Sequence, residues 1–196
     1  PHQLREHRRR RHAGVPGGEG TAGDRGDHRV IPSLHPIRSS DLGVVFRGLS
    51  DPRVTHHYGV HFNSLEEART QLDWFADLER TGSGRWWAIR DGEGEFLGAI
   101  GINGIVREHQ RGELGFWLLP EHWGQGIMAR VLPVVIDRAF RELGLHRMVA
   151  EVETENAASA RVLQRAGFTR EGVLHDHEWK NGRWVSLEVW ALVQGA

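Results

Sequence analysis

The stretch Gly115–Met128, GFWLLPEHWGQGIM, constrains the fold of this chain more than any other. An apolar, strand-like run passes through a proline-containing loop into a pair of glycines and from there into the start of a helix. The first backbone N–H groups of a helix have no intrahelical acceptor and lie at the positive end of its dipole, so they can hold phosphate oxygens. Gly124 and Gly126 carry no side chain to block that approach. A glycine pair before a helix is equally compatible with a plain tight turn. Gly124, Gly126 and Ala129 also satisfy the spacing of a dinucleotide fingerprint. That fingerprint opens a run of βαβ units, whereas here it lies past the middle of the chain, after a hairpin-rich half. A GxxxxGK phosphate loop is absent, which argues against a nucleoside triphosphatase.

Around this loop the periodicities lay out one folding unit. An extended segment runs from Val30 to Arg38, and Ser40 or Asp41 is placed to cap a helix carrying Leu42, Val45, Phe46 and Leu49. Ser64 to Glu67 is a capping-box pattern opening a second helix with Ala68, Leu72 and Phe75 on one face, ended by Gly82 and Gly84. Arg85–Arg90 and Glu95–Ile105 flank the turn cluster Asp91–Gly94 and read as a hairpin; Gly112–Leu119 is the next strand. A long amphipathic helix spans Gly126–Leu143, with Pro133 predicting a kink or a late start. A strand at Met148–Val152, a helix at Asn156–Ala166 and two strands, His175–Lys180 and Arg183–Val193, joined by Asn181 and Gly182, complete the order. Strands and helices in that order give an α+β or mixed α/β sheet with helices on both faces, not a doubly wound one.

Composition bounds the function. At 196 residues the chain suits one globular domain, residues 29–196, behind a head at 1–28. Arg5 and Arg8–Arg11 make that head basic, and its lack of apolar periodicity predicts disorder. Such a head reads as a solvated tail or as an arm for RNA or the ribosome. The initial Pro1 implies processing or trimming. With no cysteine there are no disulfides, thiolate metal sites or cysteine nucleophile, and a cytoplasmic address is the simplest expectation. No apolar run approaches the roughly 20 residues that cross a bilayer and no signal peptide is evident, so a soluble protein without membrane partners is expected. A net charge of −1 gives no global attraction to DNA.

With these residues in view, the chain resembles the GNAT superfamily of N-acetyltransferases, and within it the RimJ/RimL-like ribosomal-protein N-terminal acetyltransferases. The resemblance covers Leu34 to about Val193 and is carried by SDPRVTHHYG at Ser50–Gly59, ELGFWLLPEHWGQG at Glu113–Gly126 and ENAASARVLQRAGFTREGVL at Glu155–Leu174. It implies a central, mostly antiparallel twisted sheet of about seven strands, acetyl-coenzyme A as co-substrate, and a possible homodimer. It also implies that Phe116, Trp117 and Leu118 offer backbone hydrogen bonds to the pantetheine arm, and that Trp123, Gly124, Gln125, Gly126, Ile127 and Met128 wrap the pyrophosphate. Two positions depart from the superfamily: Trp123 replaces Gln or Arg, as is usual in this subgroup, and Met128 replaces Gly or Ala. If the Met128 N–H faces phosphate its side chain can still point away, but a buried methionine would crowd the cofactor.

Acetyl transfer to an amine needs a route for the amine proton, an oxyanion donor near Leu118 and a proton donor for the thiolate. Ser159 lies one helical turn after Asn156 and shares its face. By resemblance, Asn156 binds the pantetheine amide and Ser159 sits near the sulfur; Asn156 is also well suited to cap its helix. Glu178 matches the position of a carboxylate proposed as general base in RimL-type enzymes, with Glu113 as its rival and His175 and His177 beside it. Two alternate histidines without further acidic or thiolate ligands do not specify a metal, and none is expected. The acceptor is then a primary amine on a protein N-terminus or on a small molecule such as an antibiotic or polyamine. A non-catalytic coenzyme A-fold module with a ribosome-contacting head is the alternative from another class. Acceptor recognition is expected from His56–Asn63 and Leu174–Arg183, loops over a rigid scaffold.

Overall fold

A computed structural model describes residues 31–195; the basic head assigned to 1–28 lies outside the described residues. Twelve elements follow in order: β1 (Ser33–Pro36), α1 (Leu42–Leu49), α2 (Pro52–Thr55), α3 (Leu65–Thr81), β2 (Arg85–Arg90), β3 (Phe96–Val106), β4 (Arg111–Leu118), α4 (Ile127–Arg141), β5 (Arg147–Glu153), α5 (Ala157–Arg165), β6 (Thr169–Lys180) and β7 (Arg183–Val193). The strands form one seven-stranded sheet in the order β1-β2-β3-β4-β5-β7-β6. Every neighbouring pair is antiparallel except β4 with β5. The mixed, mostly antiparallel sheet read from the sequence is therefore the one observed.

Strands β2 and β3 are buried on both faces from Trp86 to Ile89 and from Phe96 to Ile102, as their near-continuous apolar runs require. Each face has its own core. On one, Ile100, Ile102, Leu114, Met148 and Trp190 pack beneath Ile127, Val131, Leu132 and Val135 of α4 and Leu163 of α5. On the other, Trp86, Ala88, Ala99 and Trp117 pack against Val45 and Leu49 of α1 and Phe75 and Leu78 of α3. Gly48 lets α1 approach closely, since a Cβ there would lie 2.3 Å from the Trp117 ring.

Local signals held at most boundaries. Ser64 Oγ accepts the Glu67 N–H at 3.1 Å, and α3 ends on Gly82 at φ 69°. Helix α4 starts at Ile127 and runs through Pro133, so the late start is not seen; the ring removes a single backbone donor from a helix whose apolar face is already buried. Asp41 does not cap α1 with its side chain. Its buried carboxylate instead accepts the Arg38 N–H at 2.8 Å and the Arg90 guanidinium at 2.6 Å, tying the start of α1 to β2. Helix α2 and the first half of β6 are additions to the sequence reading.

Candidate active site

Strands β4 and β5 run parallel but pair at only three positions, Arg111 with Arg147, Gly112 with Met148 and Glu113 with Val149. Beyond Glu113 they part, and β4 continues to Leu118 while still paired to β3. The Leu119 N–H donates to the Leu97 carbonyl at 2.9 Å. Antiparallel partners exchange hydrogen bonds at every second position, so Leu119 and Trp117 bond toward β3 while Phe116 and Leu118 turn their backbone groups into the fork. Trp117 is thus the member of the expected trio that does not face the opening; its indole lies in the core beneath α1.

At the end of β4 the turn Pro120–His122 leads into the glycine loop. Trp123 donates its indole N–H to the Leu118 carbonyl at 2.9 Å, and Gln125 donates its side-chain amide to the Glu121 carbonyl at 2.9 Å. Gly124 and Gly126 adopt φ of 73° and 69°, the left-handed region that favours glycine. No protein atom lies within 4 Å of a Cβ built on Gly124. The result is a backbone cradle open to solvent, leading into the N-terminus of a 15-residue helix, which fits a diphosphate. Ile127 and Met128 are buried, at 1% and 6% exposure, in the core under α4. The Met128 side chain packs with Ile127 in that core.

Because β4 and β5 are parallel, their C-terminal ends open on the same side, with α4 following one and α5 the other, the usual position of a ligand crevice in such sheets. Asn156 caps α5, its Oδ1 accepting the Ser159 N–H at 3.1 Å. Its capping role is therefore realised, and its amide N–H groups remain free of that bond. Ser159 is half-buried on the first turn of α5.

Glu113 is the last β4 residue paired with β5, at the apex of the fork. Alternation puts it on the α1–α3 face with Val149 and Glu151, around a pocket of about 200 Å³ lined also by Gly104, Arg111 and Gly112. Crowding by protein raises its pKa above the ordinary carboxylate value, and the charges of Glu151 and Glu178 raise it further. The Glu113 side chain is exposed, so solvent screens the shift, while the pocket walls and the two like charges act in the same direction. Glu178 itself is exposed on β6. The β6–β7 register shifts between Leu174 and Glu178, a bulge that bends this arm. His175 and His177 are exposed beside it, and no cluster of three potential metal ligands exists among the described residues. Tyr58, from the loop after α2, packs against the same core; burial first, and the nearby Glu113 charge second, raise its phenol pKa, so it stays neutral.

A further carboxylate on this face, beyond Glu113 and Glu151, was not anticipated. Glu153, at the end of β5, is 6% exposed. It accepts from Lys180 Nζ at 2.6 Å and contacts His57 Nδ1 at 2.6 Å, and Lys180 Nζ also donates to the His56 carbonyl at 2.6 Å. Burial raises its pKa, but the hydrogen bonds from His57 and Lys180 outweigh that and hold it below the ordinary range. Of the missed residues, His57, Tyr58 and Lys180 lay in stretches the sequence had marked for acceptor recognition, and Glu153 did not.

The acetyltransferase (GNAT) domain family matches residues 33–169. The chain is 35% identical over 163 residues to the uncharacterized N-acetyltransferase YoaA of Bacillus subtilis strain 168, covering 82% of this chain and 92% of that protein. Its fold is similar to that of spermidine N-acetyltransferase from Vibrio cholerae in complex with CoA and spermine, with a TM-score of 0.76 at 20% identity, covering 83% and 95% of the two chains. It is similar, too, to RimL, a ribosomal L7/L12 alpha-N-protein acetyltransferase in complex with coenzyme A, with a TM-score of 0.74 at 23% identity, covering 83% and 93%. The forked sheet, the glycine cradle and these matches together place the chain in the GNAT acetyltransferase family, as an N-acetyltransferase whose acetyl donor is acetyl-coenzyme A.

Proposed function

We propose that this enzyme moves an acetyl group from acetyl-coenzyme A to a primary amine by direct attack within a ternary complex, with Glu113 as the proton acceptor. The observation that carries the reading is the position of Glu113: a carboxylate of raised pKa at the apex where β4 and β5 separate. A base of raised pKa is better matched to an ammonium proton than an ordinary carboxylate. Glu178, the base expected from the sequence, contributes a neighbouring charge and is the alternative acceptor for that proton.

In this scheme the cradle Trp123–Met128 holds the diphosphate through backbone N–H groups, and the fork-facing backbone of Phe116 and Leu118, with Asn156, holds the pantetheine arm. The amine nitrogen attacks the thioester carbonyl and the C–S bond breaks. The amine proton passes to Glu113, directly or through water, while the Leu118 N–H stabilises the oxyanion. The Ser159 hydroxyl hydrogen-bonds the departing sulfur, which leaves as a thiolate stabilised by that bond, and the proton taken up by Glu113 returns to the sulfur through water. Three carboxylates, Glu113, Glu151 and Glu178, draw a cationic amine to the apex by Coulomb attraction. Relatives named for spermidine and for a ribosomal protein both take amines, which supports an amino group as the acceptor.

The test is calorimetry with acetyl-coenzyme A, followed by thiol release over a panel of polyamines and peptides with free N-termini. Saturable binding with turnover on at least one amine is expected, and Glu113→Gln should abolish turnover while leaving cofactor affinity intact. Turnover undiminished in Glu113→Gln, or binding with no turnover on any amine, would overturn the reading.

A further inference from the structure

Two segments that line the acceptor side of this sheet are held together through one buried carboxylate. The loop Pro52–His61 and the tip of the β6–β7 hairpin, Lys180 and Asn181, form opposite walls of a cavity of about 430 Å³ that includes Thr55, His56, Tyr58 and His61. Between these walls run the Lys180 Nζ bond to the His56 carbonyl and the two contacts of Glu153, to Lys180 and to His57. Glu153 sits on strand β5, in the middle of the sheet order, so it ties both segments to the sheet. The far side of the hairpin tip is anchored as well, because Arg183 makes a two-pronged ion pair with Glu155 at 2.7 Å, beside the Asn156 cap of α5.

We propose that Glu153 is a positioning residue: with Lys180 and His57 it latches the α2 loop onto the β6–β7 hairpin and so sets the shape of the acceptor pocket. This rests on the acetyltransferase reading above and deepens it. Neither Phe116, Leu118 nor the glycine cradle contributes to this latch, so its loss reaches the acceptor and leaves the cofactor site intact. A buried carboxylate with two charge-assisted partners is also a unit, in which removing either member undoes the same geometry.

The experiment uses the full chain with Glu153→Gln, Lys180→Met, their double variant and Lys180→Arg. Steady-state kinetics are read on whichever of spermidine or a serine-initiated peptide the unmodified enzyme acetylates. Amide hydrogen exchange is followed in all variants without substrate. Expected is a rise in the acceptor KM of about 10–100-fold in each single variant, the scale of a small misplacement of substrate. The acetyl-coenzyme A KM should stay within about twofold. The double variant should be no worse than the poorer single one, and Lys180→Arg should recover most of the loss. Exchange should accelerate at Thr55–Tyr58 and Lys180–Arg183 and stay unchanged in β2–β4. Additive losses, an equal rise in the acetyl-coenzyme A KM, or a fall in kcat with the acceptor KM unchanged would overturn the proposal. If the unmodified enzyme acetylates no amine of the panel, the proposed function fails, and the exchange pattern still decides the latch: unaltered exchange at both segments overturns it.

Discussion

The indole N–H of Trp123 donates to the carbonyl of Leu118 at 2.9 Å, folding the glycine loop back onto the end of β4. The bond fixes the cradle relative to the strand that carries the fork-facing backbone, so it aligns two parts of the proposed cofactor site. Trp123 is 47% exposed and contributes little to the core. Trp123→Phe keeps the ring and removes the donor. It should raise the acetyl-coenzyme A KM about 5–10-fold, the equivalent of one net hydrogen bond, and leave Tm nearly unchanged. Titration calorimetry and a melting curve check both.

At Gly124 and Gly126 the requirement is conformational. Both sit at positive φ, and space around Gly124 is open, so added bulk meets no neighbour there but the backbone must still enter the left-handed region. A β-branched residue should weaken acetyl-coenzyme A binding far more than asparagine, which tolerates that region. Gly126→Val is expected to cost about tenfold or more in affinity, and Gly126→Asn about half that loss on a logarithmic scale. Equal effects of the two would show that steric contact with the cofactor, not φ, sets the choice.

The Asp41–Arg90 pair is a stability element remote from the chemistry. Both side chains are largely buried, at 6% and 16% exposure, and Asp41 also accepts the Arg38 N–H. Removing one partner of such a pair leaves a charge without compensation, so Asp41→Ala should lower unfolding free energy by about 3–5 kcal/mol, measured by urea denaturation with unchanged m-value. The cofactor and acceptor KM values should not move in enzyme that remains folded.

What could be read from the sequence was what is local. The cradle was legible because glycine and proline chemistry decides backbone direction within a few residues, and the Asn181-Gly182 turn fixed the final hairpin for the same reason. The stretch Thr169–Leu174 was not read as strand because it carries no alternation: its first four residues are exposed on an edge strand, and pairing with β7 alone makes it extended. Glu151 and Glu153 look alike in the run AEVE, yet Glu151 is exposed and Glu153 buried. The difference comes from His57 and Lys180, which reach Glu153 from distant parts of the chain. Burial of a charge is a tertiary property, and no spacing rule announces it.

The carboxylates at the apex separate two assignments of the base by the direction of a pH shift. Glu113 has a raised pKa because of crowding and because of Glu151 and Glu178. If Glu113 takes the amine proton, Glu178→Gln removes a like charge, lowers the Glu113 pKa and moves the acid limb of kcat/KM to lower pH, with kcat at neutral pH largely kept. If Glu178 is the base, the same substitution abolishes turnover at every pH. Stability adds an independent reading. A carboxyl whose folded pKa lies above its unfolded value stabilises the fold only at low pH, and that contribution is lost as pH rises through the folded pKa. Where Glu113 is ionised its surroundings therefore weigh on the fold, but the side chain is exposed and solvent screens the effect, so Glu113→Gln should leave Tm unchanged or raise it only slightly while removing activity. Any gain should vanish near pH 4, where both folded and unfolded carboxyls are largely protonated. A variant that lost both activity and stability at neutral pH would mark Glu113 as a structural group and return the base to Glu178.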